Sequence, residues 1–68
     1  MSRARLDFIN QAIAHGGVLN VDGGAVVTAL QEGLISDDDK VIYRIDDGIP
    51  VLLPEAGIGT AQWQDLPK

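Results

Sequence analysis

The 68 residues are 46% apolar and carry ten acidic against five basic side chains, for a formal charge of −5, with one histidine and no cysteine. A chain this short buries only about 60% of the surface its unfolded form exposes, so residues 1–68 make a single small domain with neither a disulfide nor a Cys/His zinc site to stiffen it. The charge argues against direct nucleic-acid binding, which rests on clustered Lys and Arg. No apolar run approaches the ~18 residues of a membrane span, and no signal-peptide core is present, so a cytoplasmic protein is expected.

Residues 3–15 place Leu6, Phe8, Ile9, Ala12 and Ile13 on one side of a 3.6-residue helix, with Asp7, Asn10, Gln11 and Ala14 on the other. Ser2 is suited to the N-cap, Gly16 and Gly17 to the stop, and His15 to the carboxyl-end dipole. Residues 18–21 and 25–27 are β-branched-rich and flank Asp22-Gly23-Gly24, which predicts a tight hairpin. Residues 28–34 read two ways: Thr28 and Gln31 resemble a capping box ahead of Leu30, yet Gly33 weakens a helix.

Residues 40–45 alternate as a half-buried strand, with Val41, Tyr43 and Ile45 on one face and Ile42 and Arg44 on the other. Asp37, Asp38 and Asp39 then form a solvated turn back to Leu34 and Ile35. A second strand is predicted at residues 49–53, where Pro50, having no N–H, must sit at an edge, a bulge or the strand's start. Beyond Pro54 a loose helical turn leads into a tail, residues 60–68, from which Trp63 folds back on the core. The expected fold class is α+β: an amino-terminal amphipathic helix on a small antiparallel sheet of three to four strands.

Chemistry-bearing patterns are sparse. The run at residues 37–39 lacks the spacing of a calcium loop, and the glycine pairs lack that of a phosphate loop. His15, Ser2 and Ser36 lie on different elements, with no third group to orient a nucleophile. Asp46 and Asp47 are adjacent turn residues that diverge into solvent, and Gly48 is expected at positive φ. No catalytic residue, metal site or cofactor is assigned.

One stretch carries a resemblance. Residues 43–56, YRIDDGIPVLLPEA, resemble the carboxyl-terminal signature of the small zinc-ribbon-like proteins that activate tRNA methyltransferases, and of their short bacterial relatives. The signature is an aromatic strand, Asp-Gly-Ile-Pro, an aliphatic strand and an acidic residue. Weaker similarity runs back through Leu34, Ile35 and Ser36. The zinc-binding relatives carry cysteine where Ser36 stands and often a second ligand near Asp39. They also begin with a Leu-Leu segment leading into a Cys-Pro motif, which this chain lacks before Arg3. The resemblance therefore implies a zinc-ribbon-like domain without metal, in a cysteine-free variant shortened at its amino end.

It further implies a non-catalytic adaptor that binds a protein partner, such as a methyltransferase, by strand pairing and an aliphatic patch. The interface candidates are Ile49, Pro50, Val51, Leu52 and Leu53, with Asp46, Asp47 and Gly48 as the structural turn. The competing arrangement buries both faces of that strand internally, under the helix on one side and the Trp63 tail on the other. Self-association through an open strand edge, giving a homo-oligomer, is the alternative function.

Overall fold

The computed structural model describes residues 1–67. Its one α-helix, α1 (Arg3–His15), begins where the Ser2 hydroxyl accepts the Arg5 amide at 3.2 Å and ends where the Gly16 N–H reaches the carbonyls of Ala12 and Ile13, both at 3.1 Å. Ile9 and Ile13 are buried, and Leu6, Phe8 and Ala12 pack around them, so the predicted apolar stripe is the face that meets the sheet.

That sheet is organised around one strand. β1 (Glu32–Ile35) pairs antiparallel with β2 (Val41–Asp46) along one edge, while β3 (Ile49–Pro50) and β4 (Ile58–Gly59) share the other edge of β2. Were β3 to continue in register, Ile42 would face Leu53; it faces Ile58, five residues further on. Residues 52–57 therefore leave the ladder, make a 3-10 turn at Pro54–Ala56, and return. This corrects the predicted strand at residues 49–53, which is only Ile49–Pro50. The β2 edge where Leu53 would have paired is occupied by β4, and Pro54 holds Leu53 extended ahead of the 3-10 turn.

The turn from β2 to β3 has two central residues, Asp47 at φ 53° and Gly48 at φ 78°. Positive φ at both positions is the twist-matched hairpin connection, which glycine adopts without strain and aspartate tolerates. Gly57 answers a different need. A side chain there would meet Val41 Cγ1 at 2.5 Å and Tyr43 Cε1 at 3.2 Å, so the returning chain lies flat on the outer face of β2 only because it has none.

The opposite face of β2 holds the core. Ile42 and Ile9 are fully buried against Ile13, Val18, Leu30 and Ile58. Each such side chain contributes about 1.5–3 kcal/mol by leaving water. Trp63 closes one end, its ring edge-on to Phe8 at 6.1 Å, as expected of the tail. The tail is held along residues 60–67: Thr60 Oγ1 donates to the Asp39 carbonyl at 2.6 Å, and Arg5 Nε donates to that of Pro67 at 2.7 Å. Lys68 lies outside the described residues.

The 18–27 hairpin is present but reduced to a bridge between Leu19 and Ala25, and it lies against β4 through an Asn20–Ile58 bridge and the Val21 amide on the Gly57 carbonyl, 2.8 Å. Residues 28–31 form neither a helix nor a capping box; the Thr28 carbonyl accepts from Arg44, and Gln31 accepts the Asp47 amide. Two side-chain amides satisfy the irregular backbone here. Asn10 donates to the Leu30 carbonyl at 2.9 Å and accepts its amide at 2.8 Å. Gln62 accepts the Leu19 amide at 3.1 Å and donates to the carbonyls of Leu19 and Gly59 at 2.9 and 2.8 Å. Asn10 is thus no solvent-face residue of α1, because it carries the loop that delivers Leu30 to the core.

The acidic turn between β1 and β2 is solvated, as predicted, and is closed by its own side chains. Ser36 Oγ donates to Asp38 Oδ1 at 2.6 Å, and the same carboxylate accepts the Lys40 amide at 3.1 Å. These bonds, the serine one foremost, hold the Asp38 carboxyl below its ordinary range.

Replacing Asn10 with Ala is expected to cost about 1–3 kcal/mol, since the Leu30 amide and carbonyl lose both partners. The exposed neighbour Gln11→Ala stays within roughly 0.5 kcal/mol; urea denaturation of the pair reads the difference. For Asp38, a folded pKa below the unfolded one of about 4 gives a contribution present above that pH and lost as pH falls through the folded value. Thermal melts on the acid side should therefore show a steeper loss for the natural chain than for Ser36→Ala.

Candidate functional site

The five interface candidates lie where β3 leaves the sheet. Ile49, Leu52 and Leu53 are 68%, 59% and 55% exposed, Pro50 is exposed, and Val51 is half-buried. The arrangement that covers both faces of this segment internally is therefore not the one adopted. A side chain half or more in water contributes little to a core of six aliphatics, so the segment's hydrophobicity is not accounted for by folding.

Backbone geometry here is specific. The Val51 amide donates to the Arg44 carbonyl at 2.9 Å, which directs residues 49 and 51 at β2 and, by alternation, turns Pro50 to the open edge. Its missing N–H thus costs the sheet nothing, but that edge offers an incoming strand an acceptor without its donor. At the far side of the sheet β1 pairs with β2 alone among the described residues. There the Gly33 amide, turned outward by the same alternation, is taken by Glu32 Oε1 at 3.0 Å. Both edges are blunted against strand addition.

Asp46, Asp47 and Gly48 do the turn work expected of them, Asp47 accepting the positive φ and binding Gln31 through its amide. No group of three or more His, Cys, Asp or Glu residues that could hold a metal occurs among the described residues. None of the described helices is long and apolar enough to cross a membrane.

A second feature was not singled out in the sequence. A cleft of about 250 Å³ opens between the 25–28 segment and the inner face of β2, lined by the apolar Ala25, Val26, Val27, Ala56 and Ile58 and the polar Asn20, Thr28 and Arg44. The sequence marks Arg44 only as a residue on one face of a strand.

These elements define a small α+β domain: one helix on an antiparallel sheet whose central strand carries all the others. No family model matches the chain, and no curated protein matches it. The solution NMR structure of XF2673 from Xylella fastidiosa does, at 41% identity, spanning 100% of this chain and 70% of that one with a TM-score of 0.88. The chain belongs to the family of that Xylella protein.

Because Leu52 and Leu53 face water, the double substitution Leu52→Lys and Leu53→Lys should leave the unfolding free energy within about 1 kcal/mol of the natural value. Ile58→Ala, in the core, should cost about 2–5 kcal/mol. Urea midpoints of the two variants check the contrast, and unfolding of the Lys variant would return residues 52 and 53 to the core.

Proposed function

We propose that this domain is a non-catalytic adaptor that docks on a protein partner through the aliphatic segment Ile49, Pro50, Val51, Leu52 and Leu53. The observation that carries the reading is the exposure of Ile49, Leu52 and Leu53 together on one short, anchored segment. The turn at Asp47 and Gly48 fixes its start and the Pro54–Ala56 turn its end, so little ordering entropy is lost when a partner covers it.

The blunted edges favour side-chain packing over the strand pairing that the resemblance implies. The likeness of residues 43–56 to the methyltransferase activators supports a methyltransferase as the partner class. In this reading the domain contributes surface rather than chemistry: it covers an apolar area on the enzyme.

Self-association through the same segment is the competing use. Each copy carries a charge of −5, which opposes pairing of like with like.

Affinity capture from the source cell with the natural chain should enrich a methyltransferase, and the Leu52→Lys, Leu53→Lys variant, shown to be folded by its urea midpoint, should lose it. Capture that never enriches a methyltransferase overturns that partner class. Light scattering should give a concentration-independent monomer of about 7.2 kDa; a dimer that the Lys variant abolishes would assign the patch to self-association instead.

A further inference from the structure

The cleft beside Arg44 includes none of Ile49, Leu52 or Leu53 and differs from the aliphatic patch in kind, being concave and carrying a charge. We propose that it binds a short aliphatic carboxylate, with the carboxylate on the Arg44 guanidinium and the hydrocarbon end between Val26, Ala56 and Ile58.

Three observations converge on that chemistry. The guanidinium has five N–H donors, and one nitrogen, Nη2, is spent on the Thr28 carbonyl at 2.7 Å. That bond fixes the plane of the group while other donors remain for a ligand, and a planar fork matches a carboxylate in two parallel bonds. Arg44 is also the only charged residue lining the cleft, in a chain whose other charges sum to a strongly acidic surface. One cation pairs with one negative charge; a phosphate dianion would need more positive charge than is present and would be repelled more strongly by the acidic background. Finally, about 250 Å³ falls below the ~300–1,000 Å³ of sites for drug-sized ligands, and the lining is mixed, with Val26, Ala56 and Ile58 apolar and Asn20, Thr28 and Arg44 polar. A short branched carboxylate fits such a space and a nucleotide does not.

The same chemistry is presented by a free acid and by the carboxyl end of a peptide finishing in an aliphatic residue. Amide-resolved NMR titration of the full chain with 3-methylbutanoate, its neutral amide and N-acetylvaline separates these. Saturable shifts are expected at Val26, Val27, Thr28, Ala56 and Ile58 with the acid, at a dissociation constant on the order of millimolar. The neutral amide should bind roughly tenfold more weakly or not at all, and Arg44→Lys, which keeps the charge but not the fork, should weaken the acid by a similar factor. Tighter binding of N-acetylvaline than of the free acid assigns the natural ligand to a peptide terminus, and the reverse assigns it to a free acid. The proposal is overturned if no saturable shift appears at the cleft or if the neutral amide binds as tightly as the acid. That last comparison uses the natural chain and so stands even if Arg44→Lys fails to fold.

Discussion

Every strand pairing in the sheet of this domain runs through β2. It is the strand to which β1, β3 and β4 all pair, and its Ile42 side chain lies fully buried with Ile9 of α1 in the core. A sheet of so few and such short strands has little stability of its own, because each pairing supplies only a few hydrogen bonds and the entropy of ordering the chain is large. What fixes it is the coincidence, on one strand, of the ladder partners and the deepest apolar side chain. The helix caps and turns set geometry around that point, but the core they enclose is centred on Ile42 and Ile9.

The second requirement of so small a core is that the backbone around it must not go unpaired. Residues 18–31 deliver Val18 and Leu30 inward while forming almost no regular structure. Their polar groups are met by side chains instead. Asn10 pairs with both backbone groups of Leu30, and Gln62 pairs with both of Leu19 while also reaching Gly59, standing where the ladder between the hairpin and β4 would otherwise run on. A carboxamide has the donor and acceptor spacing of a peptide group, so it can replace a strand neighbour at one point without the length a strand needs. Two such substitutions, from the first helix and from the tail, bind the irregular half of the molecule to the regular half.

Much of the architecture was legible in the residues, and the reason differs by element. α1 was readable because its apolar spacing, N-cap serine and terminal glycines all agree, and β2 because Val41 through Ile45 alternate cleanly; local preference and tertiary placement coincide there. The Asp47-Gly48 turn and the return of Trp63 to the core followed from equally local cues. Residues 49–53 were overextended because their strand preference is genuine while the β2 edge that would have paired with them is taken by Ile58, a competition invisible in the segment itself. Residues 28–31 stayed ambiguous because Asn10 and Arg44, both distant in sequence, decide their path. Among the interface candidates, the sequence identified the aliphatic residues but not their exposure, which depends on where β4 lies. The cleft was not legible at all, since it is made by a hairpin, a turn and a strand that meet only in three dimensions.

The five-residue offset between β3 and β4 along a single edge has a consequence for how this fold tolerates change. The chain is pinned on each side of the excursion by independent devices: the two-residue turn before β3, and the Thr60 bonds to Lys40 and Asp39 after β4. Neither depends on how many residues lie between them. The stretch from Leu52 to Ala56 can therefore gain or lose length without disturbing the register of any strand, since closure entropy grows only slowly with loop length. Variation in a family built on this sheet can concentrate there, and the exposed side chains of Leu52 and Leu53 sit on the part of the chain that is freest to be remodelled.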